Sequence, residues 1–163
     1  MIVTLWRHGE AERGVNDRLR QLTAKGRNDV SVGSREFNKA CGAKGIAKPQ
    51  KILHSPWVRT RQTTEIIGSA FSRATVVAAD ALRPDSDVTD LDRLICADRD
   101  AKHIVLVLHQ PLVSRVIAYY LGDIGSVPFI NPGGLVVMSL DTIAAGCGTT
   151  LFWAFPPTYE QCN

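Results

Sequence analysis

The sequence predicts an α/β protein, a three-layer α/β/α sandwich on a mostly parallel, mixed sheet. Short apolar runs rich in β-branched residues alternate with segments whose apolar residues recur at helical spacing, the pattern of successive strand and helix units. The run 104–108 is apolar at every position, as in a central strand covered on both faces. Near the end of the chain two strand-like runs flank a glycine-bearing turn, which predicts that the sheet finishes with an antiparallel pair.

Six strands and four helices follow from this pattern. The predicted strands are 2–6, 51–54, 75–79, 104–108, 135–140 and 149–155. The inner faces of the helices carry Val30, Phe37, Ala40 and Cys41; Ile66, Ile67, Ala70 and Phe71; Val88, Leu91, Leu94 and Ile95; and Leu112, Val113, Val116, Ile117 and Tyr120. The region of Gly42 and Gly45 ends the first helix, and Thr89 or a neighbouring aspartate caps the third.

Size and charge indicate one ordinary globular domain spanning 1–163. Of the 163 residues, 45% are hydrophobic and 21% are charged, and no repeat or linker interrupts the pattern. The net charge of +3 is spread over both halves without a run of like charges, so we expect no nucleic-acid partner and no polybasic membrane anchor. The apolar run before Arg7 is too short for a signal-peptide core or a membrane span. We therefore expect a cytoplasmic, monomeric protein.

The cysteines and the other potential metal ligands do not form a recognisable site. The four cysteines are scattered, without a Cys-x-x-Cys pair, which favours free and mostly buried thiols over disulfides or a zinc site. They are Cys41, Cys96, Cys147 and Cys162. We expect neither a metal nor another cofactor.

Polar residues that suit phosphate chemistry follow three of the predicted strands. Arg7, His8 and Gly9 end the first strand, Arg59 lies in the segment after the second, and His109 directly follows the fourth. An open α/β sheet builds its functional site beyond the carboxyl ends of its strands. We therefore expect these side chains to share one site.

The segments around these residues resemble the histidine phosphatase superfamily, and its short SixA-type phosphohistidine phosphatase branch in particular. The resemblance covers nearly the whole chain. The matching motifs are Arg7-His8-Gly9-Glu10-Ala11; Leu22-Thr23 with Lys25-Gly26; Ser55-Pro56-Trp57-Val58-Arg59 followed by Gln62-Thr63; and His109-Gln110-Pro111. The resemblance implies a phosphoglycerate mutase-like fold. It also implies a role in signal transduction, with a phosphohistidine-bearing protein such as a histidine phosphotransfer domain as partner.

By this resemblance His8 is the nucleophile and becomes transiently phosphorylated. Arg7 and Arg59 bind phosphate, His109 is the second histidine of the pocket, and the residues next to His8, Gly9 and Glu10, belong to the substrate-binding set. The chemistry of the residues agrees with these roles. A neutral imidazole is a competent nucleophile near pH 7, and phosphoryl transfer is catalysed mainly by positioning and by fixed positive charge. Two guanidinium groups and an imidazolium supply that charge without a metal.

Several nearby residues have more than one interpretation. We expect His54 to be a buried histidine with its hydrogen bonds satisfied and His103 to lie on the surface. Arg61 is expected to face solvent or the entrance. Trp57 either covers its own loop or forms part of the entrance wall.

The acidic residues leave the proton donor open. Glu10 is expected to support the site and Glu12 to lie on the surface. Asp85 and Asp87 follow the third strand, where a turn or helix-capping role is at least as probable as a role in the reaction. The sequence does not decide whether Glu10, Asp85 or Asp87 donates a proton.

The sequence predicts a metal-independent phosphohistidine phosphatase that hydrolyses the N–P bond through a covalent phosphohistidine intermediate. Two alternatives remain open: a phosphatase of small phosphomonoesters, and a non-catalytic phosphate-binding adaptor. Mutase activity is disfavoured because the region 75–95 offers no large inserted cap to enclose a small substrate.

Overall fold

A single seven-stranded sheet organises the computed structural model of the chain, which describes residues 1–163 except 124, 126, 128 and 163. The strands are β1 (Ile2–Arg7), β2 (Lys51–His54), β3 (Thr75–Ala78), β4 (His103–Leu108), β5 (Leu135–Leu140), β6 (Gly148–Ala154) and β7 (Gln161–Cys162). The α-helices are α1 (Ala24–Ala43), α2 (Val58–Ala70), α3 (Val88–Ala97) and α4 (Leu112–Leu121), and short 3-10 helices cover Asp17–Leu19 and Asp80–Leu82. None of the helices described is long and apolar enough to cross a membrane.

The order of the strands, β3-β2-β4-β1-β5-β6-β7, confirms the predicted mixed sheet. The first four strands of the chain are parallel to their neighbours among themselves, whereas β5 runs antiparallel to β1 and to β6. In the register of the sheet Arg7 lies opposite Leu108, and His54 lies opposite Val107. The carboxyl ends of β1, β2 and β4 therefore reach the same edge of the sheet, as the prediction of a shared site requires.

Two separate apolar cores confirm the three-layer arrangement. Alternate residues of β4 point to opposite faces: Leu106 packs in a core with Leu91 of α3 and Val113 of α4, whereas Val107 packs in a core with Phe37 of α1. Successive side chains of a strand alternate between the faces of a sheet, so a strand that is apolar throughout is buried on both. Each fully buried aliphatic side chain contributes roughly 1.5–3 kcal/mol of transfer free energy to this packing.

Local signals explain where two of the helices begin. The Thr23 hydroxyl accepts a hydrogen bond from the Gly26 amide, so α1 begins at Ala24, well before the first apolar position of its inner face. Asp87 caps α3 by accepting a hydrogen bond from the Asp90 amide, which confirms the aspartate alternative over Thr89. The two-residue strand β7 was not predicted from the sequence, because so short a segment has no periodicity.

His103 corrects one prediction, because it is fully buried rather than on the surface. Its two ring nitrogens lie 2.8 Å from Thr4 Oγ1 and 2.6 Å from the Ala47 carbonyl oxygen. These partners compensate the ring for the loss of water. The sequence shows a polar residue at the start of an apolar strand, but it does not show that the 44–50 connection folds back over that residue.

Candidate active site

The structure brings the side chains of His8, Arg59 and His109 together at the carboxyl edge of the sheet. The rings of His8 and His109 lie 5.0 Å apart between centroids, and Arg59 Nε lies 3.0 Å from His8 Nε2. Arg7, the last residue of β1, is close enough that its charge lowers the pKa of both histidines. The ends of β1 and β4 and the first turn of α2 thus supply one cluster.

The tautomer of His8 is set by its two hydrogen bonds. Nδ1 lies 2.7 Å from the Gly9 carbonyl oxygen, which can only accept, so Nδ1 carries the proton. Nε2 accepts from Arg59 Nε, so it is unprotonated and its lone pair points towards the Arg59 guanidinium. Burial, opposed by the hydrogen bond to Gly9 and reinforced by the charges of Arg59 and Arg7, lowers the pKa of His8 to about 3. His8 is thus held neutral, with a nucleophilic nitrogen facing the cluster.

Arg59 is a buried cation, only 4% exposed, at the start of α2. Its guanidinium carbon lies 4.5 Å from the centre of the Trp57 ring, which supports the positive charge from one side. Nη1 and Nη2 bind Asp17 through its carbonyl oxygen and its carboxylate. Burial lowers the pKa of Arg59, and Asp17 acts in the opposite direction.

Arg7 is anchored from the far side of the pocket. Its Nη1 donates to the Ile130 carbonyl oxygen at 2.6 Å, and its guanidinium carbon lies 4.8 Å from the centre of the Phe129 ring. Its buried Nε has no hydrogen-bond partner among the described residues. Burial, followed by the nearby charge of Arg59, lowers the pKa of Arg7 to about 10, so it stays cationic at neutral pH.

His109 carries the strongest mark of a ligand-binding group in the cluster. Both of its ring nitrogens are buried without a hydrogen-bond partner in the part of the chain that the structure describes. Trp57 lies against it at 4.9 Å between ring centroids, so this tryptophan forms part of the pocket wall. Burial, the neighbouring His8 and the charges of Arg59 and Arg7 lower the pKa of His109, which makes the ring neutral here. A buried polar group without a partner is costly, and a bound phosphoryl oxygen would relieve that cost.

Thr63 connects the loop after β1 with helix α2. Its hydroxyl donates to the Arg59 carbonyl oxygen at 2.8 Å and accepts from the Gly9 amide at 3.1 Å. One side chain therefore sets the position of His8 relative to Arg59. Gln62 adds a second link, since its carbonyl oxygen accepts from the Leu22 amide at 2.8 Å.

Gly9 and Glu10, which the sequence places in the substrate-binding set, have structural contacts here. The amide of Gly9 is used by Thr63, and a Cβ at this position would lie 2.8 Å from Val30 Cγ2. The Glu10 carboxylate accepts from the Thr23 hydroxyl at 2.9 Å and lies 4.0 Å from Lys25 Nζ. Both residues shape the loop that presents His8, and their contact with a substrate stays a prediction.

The remaining candidates lie outside the cluster. His54 is buried, with Nδ1 2.7 Å from the Ser55 carbonyl oxygen, as expected of a satisfied histidine. Glu12 is exposed, and Arg61 is exposed with Glu65 4.0 Å away. Asp87 is used as a helix cap. Asp85 lines a cleft of about 570 Å³ beside Trp57 and Asp17.

Asp17 contacts Arg59 of the cluster, and the sequence gives no signal for it. It lies in a polar stretch without periodicity, and nothing in the sequence joins position 17 to position 59. Its hydrogen bonds with Arg20 and Arg59 and the charge of Arg59 hold its pKa below the usual value, although partial burial acts in the opposite direction. Within the described residues, no three histidines, cysteines or acidic residues are grouped so that they would hold a metal ion.

Comparison with known proteins agrees with this geometry. No family model matches the chain. It is 27% identical over 135 residues to a phosphohistidine phosphatase SixA homolog of Haemophilus influenzae, covering 79% of this chain and 82% of that protein. The structure of the protein histidine phosphatase SixA complexed with tungstate superposes with a TM-score of 0.79 at 24% identity, over 96% of this chain and 97% of the other.

The chain is similar to members of the histidine phosphatase superfamily. Its similarity is to the SixA-type branch, which confirms the resemblance seen in the sequence. A phosphoglycerate mutase from Plasmodium falciparum shares the fold at a TM-score of 0.65 and 14% identity, over 98% of this chain and 92% of the other. The phosphoglycerate mutase-like fold that the sequence predicts is thereby confirmed.

Proposed function

We propose that this chain is a phosphohistidine phosphatase that works through a phosphorylated His8. One observation carries the proposal: a buried, neutral imidazole presents Nε2 among two guanidinium groups and the ring nitrogens of His109, which have no hydrogen-bond partner among the described residues. A lone pair surrounded by donors suits a group that is electrophilic at its centre and anionic at its periphery. A phosphoryl group has these properties.

In the proposed first step the lone pair of His8 Nε2 gives up its hydrogen bond from Arg59 Nε and attacks phosphorus, and the bond from phosphorus to the substrate nitrogen breaks. The electron pair of that bond stays on the departing imidazole, which leaves neutral when its distal nitrogen is protonated. Phosphorylated His8 carries a positive ring whose Nδ1–H is held by the Gly9 carbonyl oxygen. Arg7, Arg59 and His109 neutralise the phosphoryl oxygens, and the bound dianion raises the pKa of His109 towards its protonated form.

In the proposed second step water attacks phosphorus and the P–Nε2 bond breaks. The electron pair returns to His8 Nε2, and both protons of the water leave with the inorganic phosphate as dihydrogen phosphate. His8 thereby recovers the tautomer from which it started. Fixed cations carry the charge throughout, so we propose that no metal takes part.

The preference for an N-linked phosphoryl group follows from the acids near the site. An alkoxide leaving group needs a proton donor, whereas imidazole leaves readily because its conjugate acid has a pKa of about 6.5. The carboxylate of Glu10 is bonded to Thr23, that of Asp87 caps α3, and that of Asp17 is held ionised on Arg59. This arrangement favours substrates with a good leaving group.

The architecture around the pocket supports a protein substrate over a small phosphomonoester. Residues 71–102, all of which the structure describes, contain only β3, a 3-10 turn and α3, so no large cap is inserted between α2 and β4. An uncapped pocket leaves room for a histidine on the surface of a folded partner, such as a histidine phosphotransfer domain.

The test is a comparison of specificity constants for three substrates: a phosphohistidine protein, an aryl phosphate and an alkyl phosphate. We expect rapid cleavage of the first, slow cleavage of the second and very slow cleavage of the third. His8→Ala should abolish all three activities. His54→Ala is the matched control, because His54 is equally buried and makes the same Nδ1 contact with a carbonyl oxygen outside the cluster.

An alkyl phosphate that ranks above the phosphohistidine protein would reject the proposed substrate and leave a phosphomonoesterase. Inertness of the folded protein towards all three substrates would favour the non-catalytic adaptor.

A further inference from the structure

The loop 12–21 is a closed unit that lies against the cluster. Its ends are joined by a hydrogen bond of 2.8 Å from the Glu12 amide to the Gln21 carbonyl oxygen. Arg20 holds it from within: the guanidinium donates to the carbonyl oxygens of Ala11 and Glu12 and to the Asp17 carboxylate. A 3-10 turn that begins at Asp17 forms the tip. The loop is therefore pre-organised by its own contacts.

The tip of this loop occupies the hydrogen-bonding groups that Arg59 would offer to a phosphoryl group. Nη1 lies 2.6 Å from the Asp17 carbonyl oxygen and 3.4 Å from Oδ1, and Nη2 lies 3.2 Å from Oδ2. The third nitrogen, Nε, donates to His8 at 3.0 Å. Every nitrogen of the guanidinium thus has a partner. Bidentate binding of a phosphoryl group by Nη1 and Nη2 therefore requires Asp17 to give way.

Because the contact between Asp17 and Arg59 is an ion pair, an anionic ligand would compete with Asp17 for Arg59. The Asp17 carboxylate is ionised and its side chain is 51% exposed, whereas the Arg59 side chain is 5% exposed. A half-exposed carboxylate loses little when it returns to water, so the contact is reversible. While it lasts, the carboxylate neutralises Arg59 and repels a dianion.

We infer that Asp17 is a specificity-determining residue that competes with phosphoryl oxygens for Arg59, so that small phosphate compounds bind weakly. This inference rests on the proposed function. The same loop carries Val15, which is fully exposed, and Leu19, which is 62% exposed. A protein substrate that contacts these side chains gains binding energy from the loop and offsets the cost of displacing Asp17. A small phosphate ester has no such contact.

Direct anion binding tests the inference without any need for turnover. Tungstate is titrated calorimetrically into the wild type, Asp17→Asn and Asp17→Ala. Asp17→Asn keeps the size of the side chain and removes its charge. We expect both variants to bind tungstate about tenfold more tightly, which corresponds to about 1.4 kcal/mol. Glu12→Gln is the matched control, since it removes one negative charge from the same loop at an exposed position, and its affinity should equal that of the wild type.

The kinetic arm separates competition from catalysis. In Asp17→Asn the KM for an aryl phosphate should fall by a similar factor while kcat holds. The ratio of specificity constants for phosphohistidine protein over aryl phosphate should fall with it. Unchanged or weaker tungstate binding would overturn the inference, because Asp17 would then merely position Arg59. A large loss of kcat with altered pH dependence would overturn it as well, because Asp17 would then act in proton transfer.

Failure of the proposed function gives a different result. If the aspartate variants bind tungstate more tightly but no protein in the series cleaves phosphohistidine protein, the competition stands and the substrate is wrong. If wild type and variants alike bind no tungstate, the anion site and the inference fall together.

Discussion

At the residue scale, the proposed chemistry depends on the position of a single proton on His8. The Gly9 carbonyl oxygen requires a proton on Nδ1, and the Arg59 Nε–H requires a lone pair on Nε2. Because burial and the neighbouring cations lower the pKa of His8, this tautomer persists at neutral and mildly acidic pH. Phosphorylation is therefore expected at Nε2.

We predict that a brief reaction with a phosphate-labelled phosphohistidine protein traps label on His8. The label should be lost in acid and retained in alkali, as expected of a phosphorus–nitrogen bond, and peptide mapping should place it at this residue. His8→Ala should carry no label and should lose at least about 1000-fold in kcat. The remaining residues of the site cannot replace the nucleophile, because they act together with it. A His8→Ala variant that keeps most of its activity would show that another group attacks phosphorus.

At the element scale, the approach of α1 to the loop after β1 places His8. A Cβ added to Gly26 would overlap the Glu10 carbonyl oxygen, so only glycine lets the first turn of α1 lie against this loop. The neighbouring Thr23 amide donates to the same carbonyl oxygen at 3.0 Å. The segment Leu22-Thr23 with Lys25-Gly26 thus has a structural meaning, which is to support the loop that carries the nucleophile.

We predict that Gly26→Ala destabilises the protein by about 1–3 kcal/mol, because the clash is with backbone that cannot rotate away. The matched control is Gly42→Ala in the last turn of the same helix, where nothing lies within 4 Å of an added Cβ. Alanine has the higher helix propensity, so this variant should be as stable as the wild type or more stable by up to about 1 kcal/mol. Urea unfolding at pH 7 measures both, and equal stabilities of the two variants would contradict the close approach.

His103, the first residue of β4, makes the stability of the folded protein depend on pH. Burial lowers the pKa of His103 from 6.5 to about 4, and its bond to the Ala47 carbonyl oxygen opposes the shift. The pKa of the folded state lies below that of the unfolded state. Between pH 6.5 and about 4 the unfolded chain therefore binds a proton that the folded protein does not, and stability falls as the pH is lowered through this range.

We predict that His103→Gln weakens this acid dependence by up to about 1.4 kcal/mol per pH unit. His8 and His109 contribute to the same slope, since burial lowers their pKa values too, so the variant should reduce the slope and not remove it. Unfolding free energies measured by urea titration at pH 7, 6, 5 and 4.5 would give the two slopes. Identical slopes would show that His103 titrates equally in the folded and unfolded states.

At the scale of the whole molecule, the sheet assembles a cationic site from distant parts of the chain. Arg7 and Arg59 remain charged at neutral pH, and both lie with His109 beyond the carboxyl ends of the parallel strands. In the proposed mechanism these fixed cations supply the positive charge that metal ions supply in many phosphoryl-transfer enzymes.

We predict that activity towards phosphohistidine protein is unchanged after dialysis against a chelator and after addition of magnesium, manganese or zinc at low concentration. Tungstate or vanadate should inhibit competitively, because each would bind the cations that hold the phosphoryl group. Rates measured before and after chelation test the first statement, with metal content checked by mass spectrometry. Strict dependence on an added divalent ion would overturn the proposed metal independence.

Much of the fold could be predicted from the sequence because its signals are local. The apolar run 104–108 indicated a central strand, and the turn before β6 indicated an antiparallel pair. The site residues His8, Arg59 and His109 could be placed together because parallel strands end at a common edge. Hydrophobic periodicity and the order of strands and helices along the chain are sufficient to predict such features.

Only the tertiary structure decided the contacts between segments whose sequences carry no local signal of their partners. The burial of His103 depends on Thr4 and on the 44–50 connection, and the pairing of Asp17 with Arg59 joins residues 42 positions apart. Polar residues in an aperiodic loop look alike in sequence whether they face water or a buried guanidinium. Their partners are set by how the loops pack once the sheet has formed. The sequence by itself therefore determined that the arginines and histidines of the cluster lie together, and the packing of the loop 12–21 decided that the Asp17 carboxylate pairs with Arg59.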